Sequence, residues 1–114
     1  MEIASGLIKL KPSSGAKVEE WRDTMRSRID EALATLKDEG VEIESWFTVE
    51  IDGQDYLLWY MRAESIAHAF ESSQKFQHDI DRYHYGLMES ITEPGGNILA
   101  EPLLNLAVRN GVPE

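Results

Sequence analysis

Cysteine is absent from this chain, which excludes disulfides, thiolate nucleophiles, zinc–thiolate sites and iron–sulfur clusters together. Long apolar runs are absent as well, since none approaches the roughly 18 residues that a membrane-spanning helix requires. The opening stretch, MEIASGLIKLKP, places Glu2 ahead of any lysine and has no extended apolar core leading to a small-residue cleavage site. It therefore reads as a first strand and not as a secretory signal, and the lack of cysteine makes a reducing cytoplasm the simplest expected home. Positive charge is scarce, with 11 Lys and Arg against 21 Asp and Glu and a formal net charge of −10. Such a field repels a phosphate backbone, so nucleic acid is not an expected partner. Lys9, Lys11 and Lys17 form a single basic cluster, which solvated lysines at strand ends explain.

The usual signatures of chemistry are missing too. Ser72 and Ser73 lack a Gly-x-Ser-x-Gly context, and Gly95-Gly96 has neither the spacing nor the following helix of a phosphate loop. No helical His-x-x-x-His pair exists, so no metal site and no cofactor are expected.

What remains is ordinary for one globular domain: 114 residues, 42% hydrophobic and 28% charged. A single domain is expected over residues 1–108, with a mobile tail at 109–114. Residues 2–11 read as a strand halted by Pro12. Val18, Trp21, Met25, Ile29, Ala32, Leu33 and Leu36 recur at steps of three and four, predicting one long helix over about Lys17–Glu39. Ser13 or Ser14 can cap its start, Gly40 ends it, and Trp21 reads as core. The runs 41–51 and 55–63 are rich in β-branched and aromatic residues around Asp52-Gly53, a hairpin signal. Ser65 caps a short helix carrying Ile66, Ala69 and Phe70, and a second helix spans His78–Ile91. Pro94-Gly95-Gly96 should end that helix before a last strand over Asn97–Val108, bent by Pro102 or placed at an edge.

The order strand, helix, strand, strand, helix, strand predicts an α+β fold of the ferredoxin-like split β-α-β type, with two helices on one sheet face. The other face should not meet water. In DYLLWYMRA, Leu57, Trp59 and Met61 point one way and Tyr56, Leu58 and Tyr60 the other, so both faces are apolar. A homodimer through the open sheet face is the simplest expectation.

Candidate site residues follow from the helix His78–Ile91. Asp81 and His84 lie one turn apart, and a carboxylate so placed can fix the histidine tautomer and raise its basicity for proton transfer. A surface ion pair, or a histidine satisfied at the core edge, explains the same spacing. On strand two, Glu44 and Trp46 alternate with Ile43, Phe47, Val49 and Ile51, which read as the helix-packed face. Glu44 is then expected between the sheets, paired with Arg62 or Lys9 and with a raised pKa, or else solvated near an open end. Tyr60 is a candidate donor to substrate, and Trp46, Trp59, Arg62 and His78 are candidate binding residues. Trp59 and Tyr60 face opposite ways and cannot line one cavity together.

The segments EEW at Glu19–Trp21, LKDEGVEIESWF at Leu36–Phe47, YLLWYMRAES at Tyr56–Ser65 and IDRYH at Ile80–His84 resemble the dimeric α/β-barrel superfamily. That superfamily includes rhamnose mutarotases and antibiotic-biosynthesis monooxygenases, and the likeness is greatest to an uncharacterised bacterial group within it. The resemblance implies a dimeric barrel and a pocket between sheet and helices. It does not transmit one activity, because the architecture hosts unrelated chemistries. A mutarotase-like or isomerase-like acid–base enzyme acting on a sugar or carbonyl metabolite would use His84, Asp81, Glu44 and Tyr60. Trp21 and Arg22 stand where mutarotases carry an early helix histidine. A cofactor-free monooxygenase would draw on Trp46, Trp59 and His84, and a non-catalytic dimeric module needs no ligand at all.

Overall fold

The structure, a computed structural model, describes residues 1–75, 78–109 and 112–113. Strands β1 (Glu2–Leu10), β2 (Val41–Ile51), β3 (Gln54–Ala63) and β4 (Thr92–Ala100) form one sheet in the order β2-β3-β1-β4, every neighbouring pair antiparallel. Helices α1 (Gly15–Ser27), α2 (Ile29–Glu39), α3 (Ile66–Ser73) and α4 (Asp79–Ile91) make the other layer. This is the ferredoxin-like α+β fold, with β3 inserted between the two strands that α1 and α2 connect. No helix among the described residues is long and apolar enough to cross a membrane.

The two layers meet through alternate residues of each strand. Ile8, Leu10 and Leu57 pack with Trp21, Met88 and Ile91, and a second cluster joins Val41, Met61 and Ala63 to Ala69. Register places Gly6 beside Trp59, where a side chain on residue 6 would sit 2.8 Å from the indole nitrogen. Glycine is needed there so that the large ring can lie over the strand.

Four expectations are corrected. The long helix is two helices, because Arg28 leaves helical geometry at φ −115°, ψ 38°. The buried face of α2 runs through Ala32, Thr35, Leu36 and Glu39, so Ile29 and Leu33 fall outside it and are exposed. Pro94-Gly95-Gly96 does not precede the last strand but lies inside β4, where Gly95 takes φ 71° and the register with β1 shifts between Ile8 and Leu10. An edge strand tolerates this irregularity because one side of its backbone has no ladder to break. The strand expected up to Val108 ends at Ala100, just ahead of Pro102, and Glu101–Ala107 has no regular structure. Beyond it, β5 (Val108–Arg109) pairs with β6 (Val112–Pro113), which brings residues 109, 112 and 113 of the expected tail into strands, and residues 110, 111 and 114 of that tail lie outside the described residues.

The last correction concerns the sheet faces. Trp46 meets Trp21 of α1 edge to face at 5.2 Å, so the face of β2 that carries Glu44 and Trp46 is the helix-packed one. Ile43, Phe47 and Ile51 are exposed on the opposite face.

Candidate functional site

Three elements build the polar cluster under the helices. From α2, Glu39 sits four residues after Thr35 on the buried stripe. From β2, Glu44 enters on the side turned toward the helices, and from α4 come Asp81, His84 and Tyr85. These five side chains line one small cavity of about 20 Å³, closed by Met25, Thr35, Leu36 and Ile80. The space suits about one water molecule.

Burial sets the protonation states. It pushes the Glu39 carboxyl up to about 7, helped by the negative charges of Glu44, Asp81 and Asp38. Burial also raises Glu44, against a hydrogen bond with the Trp46 side chain that favours its ionised form. The same cause takes His84 down to about 4 and Tyr85 up to about 12. Near neutral pH the cluster therefore combines a neutral imidazole with a Glu39 carboxyl able to carry a proton.

His84 is held by tryptophans. The indole N–H of Trp21 donates to His84 Nδ1 at 2.9 Å, so the proton of the neutral ring lies on Nε2. Trp46 meets the same imidazole edge to face at 5.6 Å, and Tyr85 flanks it at 4.8 Å. On the far side of Trp21 and Trp46 an open cleft of about 620 Å³ runs along α1 and the ends of β2 and β3, lined also by Arg22, Thr48, Asp55 and Tyr56. Its size falls in the range of about 300–1,000 Å³ usual for small-molecule sites. The tryptophan pair thus borders the cleft and, through His84, the inner cavity.

Of the residues singled out from sequence, Glu44, Trp46, Asp81 and His84 come together. Asp81 does not orient His84. Its carboxylate accepts from the His78 backbone N–H at 3.2 Å and closes the capping box of α4, a task suited to the third residue of a helix. Tyr60 and Arg62 lie on the opposite sheet face, and Arg62 pairs with Glu42 at 3.5 Å. Alternation along β3 separates them from Met61, which packs under the helices. Trp59 faces the helices but stacks edge to face on Phe70, 6.0 Å away. His78 bonds Asp38 at 2.7 Å through Nε2, which raises its pKa.

Sequence reasoning passed over Glu39 and Tyr85 and read Trp21 as core alone. A signal existed for Glu39: the spacing Ala32, Thr35, Leu36, Glu39 is a helical stripe that ends on a carboxyl. None existed for Trp21, whose partner lies 63 residues away.

Comparison with curated proteins gave no match. Among solved structures, the chain is similar to an L-rhamnose mutarotase from Formosa agariphila, with a TM-score of 0.59 and 18% identity over 94% of this chain and 100% of that one. At that identity the likeness is one of fold. The family signature that matches spans residues 1–109 and so takes in every strand and helix around the cavity. By that match the chain belongs to DUF6176, a family of unknown function.

Proposed function

We propose that this protein takes a small polar metabolite into the cleft beside Trp21 and Trp46, and that Trp46 moves aside to bring it to the Glu39, Glu44 and His84 cluster behind, where acid–base chemistry acts on a sugar hemiacetal or a related carbonyl compound. The observation that carries this reading is the pairing of a neutral His84 with the Glu39 and Glu44 carboxyls, both pushed upward, in one cavity. A carboxyl pushed to about 7, as burial pushes Glu39, holds and releases a proton near neutral pH, and such chemistry requires a group of that kind. Opening a hemiacetal ring needs one group to take the anomeric hydroxyl proton and another to protonate the ring oxygen. The ring C–O bond breaks to leave a carbonyl, and the reverse transfers close it on either face. Protons are conserved, and no other reactant is consumed. The mutarotase named in the structural likeness supports the substrate class. In this reading the Glu39 and Glu44 carboxyls handle the protons, the neutral His84 offers its Nε2–H as a donor, Trp46 offers an aromatic face to the sugar, and Asp81 holds α4 in place.

Magnetisation-exchange NMR on a panel of reducing sugars tests it. Faster exchange between anomers with the wild type, lost in Glu44→Gln, is the expected result. Exchange rates equal to buffer for the whole panel, with Trp emission unchanged, would remove the reading.

The same chain is proposed to act as a homodimer through its open sheet face. Ile43, Phe47, Ile51 and Ile98 lie there exposed, and Leu7, Tyr56, Leu58 and Tyr60 lie there half-buried. An apolar face of this kind marks a contact surface. Light scattering at micromolar concentration decides between dimer and monomer.

A further inference from the structure

A second apolar surface is left over once the sheet face is accounted for. After Ala100, the last residue paired to β1, the chain continues through Pro102 without regular structure, and its leucines are bare: Leu103 is 98% exposed, Leu104 71% and Leu106 84%. This arm does not cover its own sheet, because Phe47 and Ile51 on the open face remain 52% and 45% exposed.

Charge separates the two surfaces from the rest of the molecule. In a chain of 21 acidic residues, the paired positions of the open face hold no Asp or Glu among the described residues; Glu42, at the irregularity of β2, reaches that face to pair with Arg62 at 3.5 Å, and the other charged residue of those positions is Lys9. The arm from Glu101 to Val108 carries one charge, the carboxylate of Glu101. Two copies at −10 each repel, so they meet most closely where acidic groups are few or paired. A face that carries Lys9 and a mutually paired Arg62 and Glu42, and an apolar arm with one anion, are complementary in hydrophobicity and are not opposed in charge.

From these observations we infer that the Glu101–Val108 arm of each protomer crosses onto the open sheet face of a second copy, so that two arms clasp the dimer reciprocally. The inference rests on the dimer proposed above and adds which segment each copy contributes. Reach permits it. The extended arm spans about 26 Å, whereas four adjacent strands span about 14 Å between outer backbones. Pro102 suits the exchange, since it stops β4 from extending and turns the chain away from its own sheet. Burying the leucines against the partner's Phe47 and Leu7 would remove both exposed apolar surfaces at once.

The absence of native cysteine makes the test clean. Full-length Leu104→Cys is mixed, under mild oxidation, with a mass-tagged chain carrying Phe47→Cys, and in a parallel sample with one carrying Leu7→Cys. A disulfide between the two chains in either mixture is the expected result. No cross-link in both mixtures, or an internal disulfide in a monomeric Leu104→Cys/Phe47→Cys chain, overturns the exchange. In addition, the full-length double variant Leu103→Asp/Leu104→Asp should self-associate at least roughly a hundredfold more weakly, as expected when leucines lose their burial. If it remains a dimer of wild-type affinity and the cross-links fail, the sheet contact stands and the arm exchange falls. A wild-type monomer would sink both.

Discussion

Trp21 on α1 donates its indole N–H to Nδ1 of His84 on α4 at 2.9 Å, and the two rings lie tilted at 34° with centroids 5.8 Å apart. One bond thus joins the first helix to the last and selects the Nε2–H form of the imidazole. Nitrogen-15 NMR at pH 7 should show His84 as that neutral tautomer. Trp21→Phe should lose it and cost about 1–3 kcal/mol of stability, the range for a buried acceptor left unmade. A wild-type ring protonated on Nδ1 would contradict the assignment.

His84 and Glu39 pull the pH dependence of stability in opposite directions. His84 falls from its usual 6.5 to about 4 on folding, so its contribution is whole above pH 6.5 and is lost as pH drops toward 4. Glu39 rises from 4.5 to about 7, so stability improves as pH drops from 7 toward 4.5. Between about pH 6.5 and 4.5 the two slopes offset each other. Glu39→Gln should expose the histidine slope, a loss on the order of 3 kcal/mol across its window. His84→Leu should leave the carboxyl slope, with stability rising on acidification. Denaturant titrations at fixed protein concentration measure both, and parallel curves for the two variants would refute the assignment.

Asp81→Asn should weaken α4 by about 0.5–2 kcal/mol through the capping box. The His84 tautomer should be unchanged, because Asp81 does not hold the ring. A His84 spectrum altered in Asp81→Asn at neutral pH would return the carboxylate to the histidine.

Tyr60→Phe separates the two sheet faces. The substitution should leave the titrations of Glu39 and His84 as they are, while altering self-association if the open face is the contact. Analytical ultracentrifugation beside NMR titration reads the two effects independently.

Gly6→Ala would place a methyl 2.8 Å from the Trp59 indole nitrogen and 2.9 Å from the Ile98 carbonyl oxygen. Because one of those neighbours is backbone, relief is incomplete, and a loss of about 1–3 kcal/mol is expected. A thermal melt with Trp emission checks it. An unchanged midpoint would show that Trp59 can move aside.

Strand β3 and the hairpin turn were legible in the sequence because the signals are local: Asp52 and Gly53 both take positive φ, as the Asp-Gly pair predicts. The left-handed Gly40 that ends α2 is of the same kind, with φ 72°. The break at Arg28 was not legible, since apolar spacing continues through it and no glycine or proline marks it. At the candidate site, proximity of Asp81 and His84 on one helix was readable, but the partner of each was not. A capping carboxylate and a catalytic one share the same spacing in sequence.

The faces of β2 show the divide most clearly. Alternation determined that Glu44 and Trp46 share one side while Ile43, Phe47 and Ile51 share the other, because a strand has period two. It could not determine which side the helices cover, and the more apolar side turned out to be the open one. That choice was made by contacts from distant segments: Trp21 against Trp46, and His84 against both. Sequence by itself determined the succession of strands and helical regions, the Asp52-Gly53 turn and the acidic charge, which depend on neighbours in the chain. Only tertiary packing decided which carboxyls are buried, which nitrogen of His84 carries its proton and which apolar surfaces remain uncovered, because each depends on groups brought together from opposite ends of the sequence.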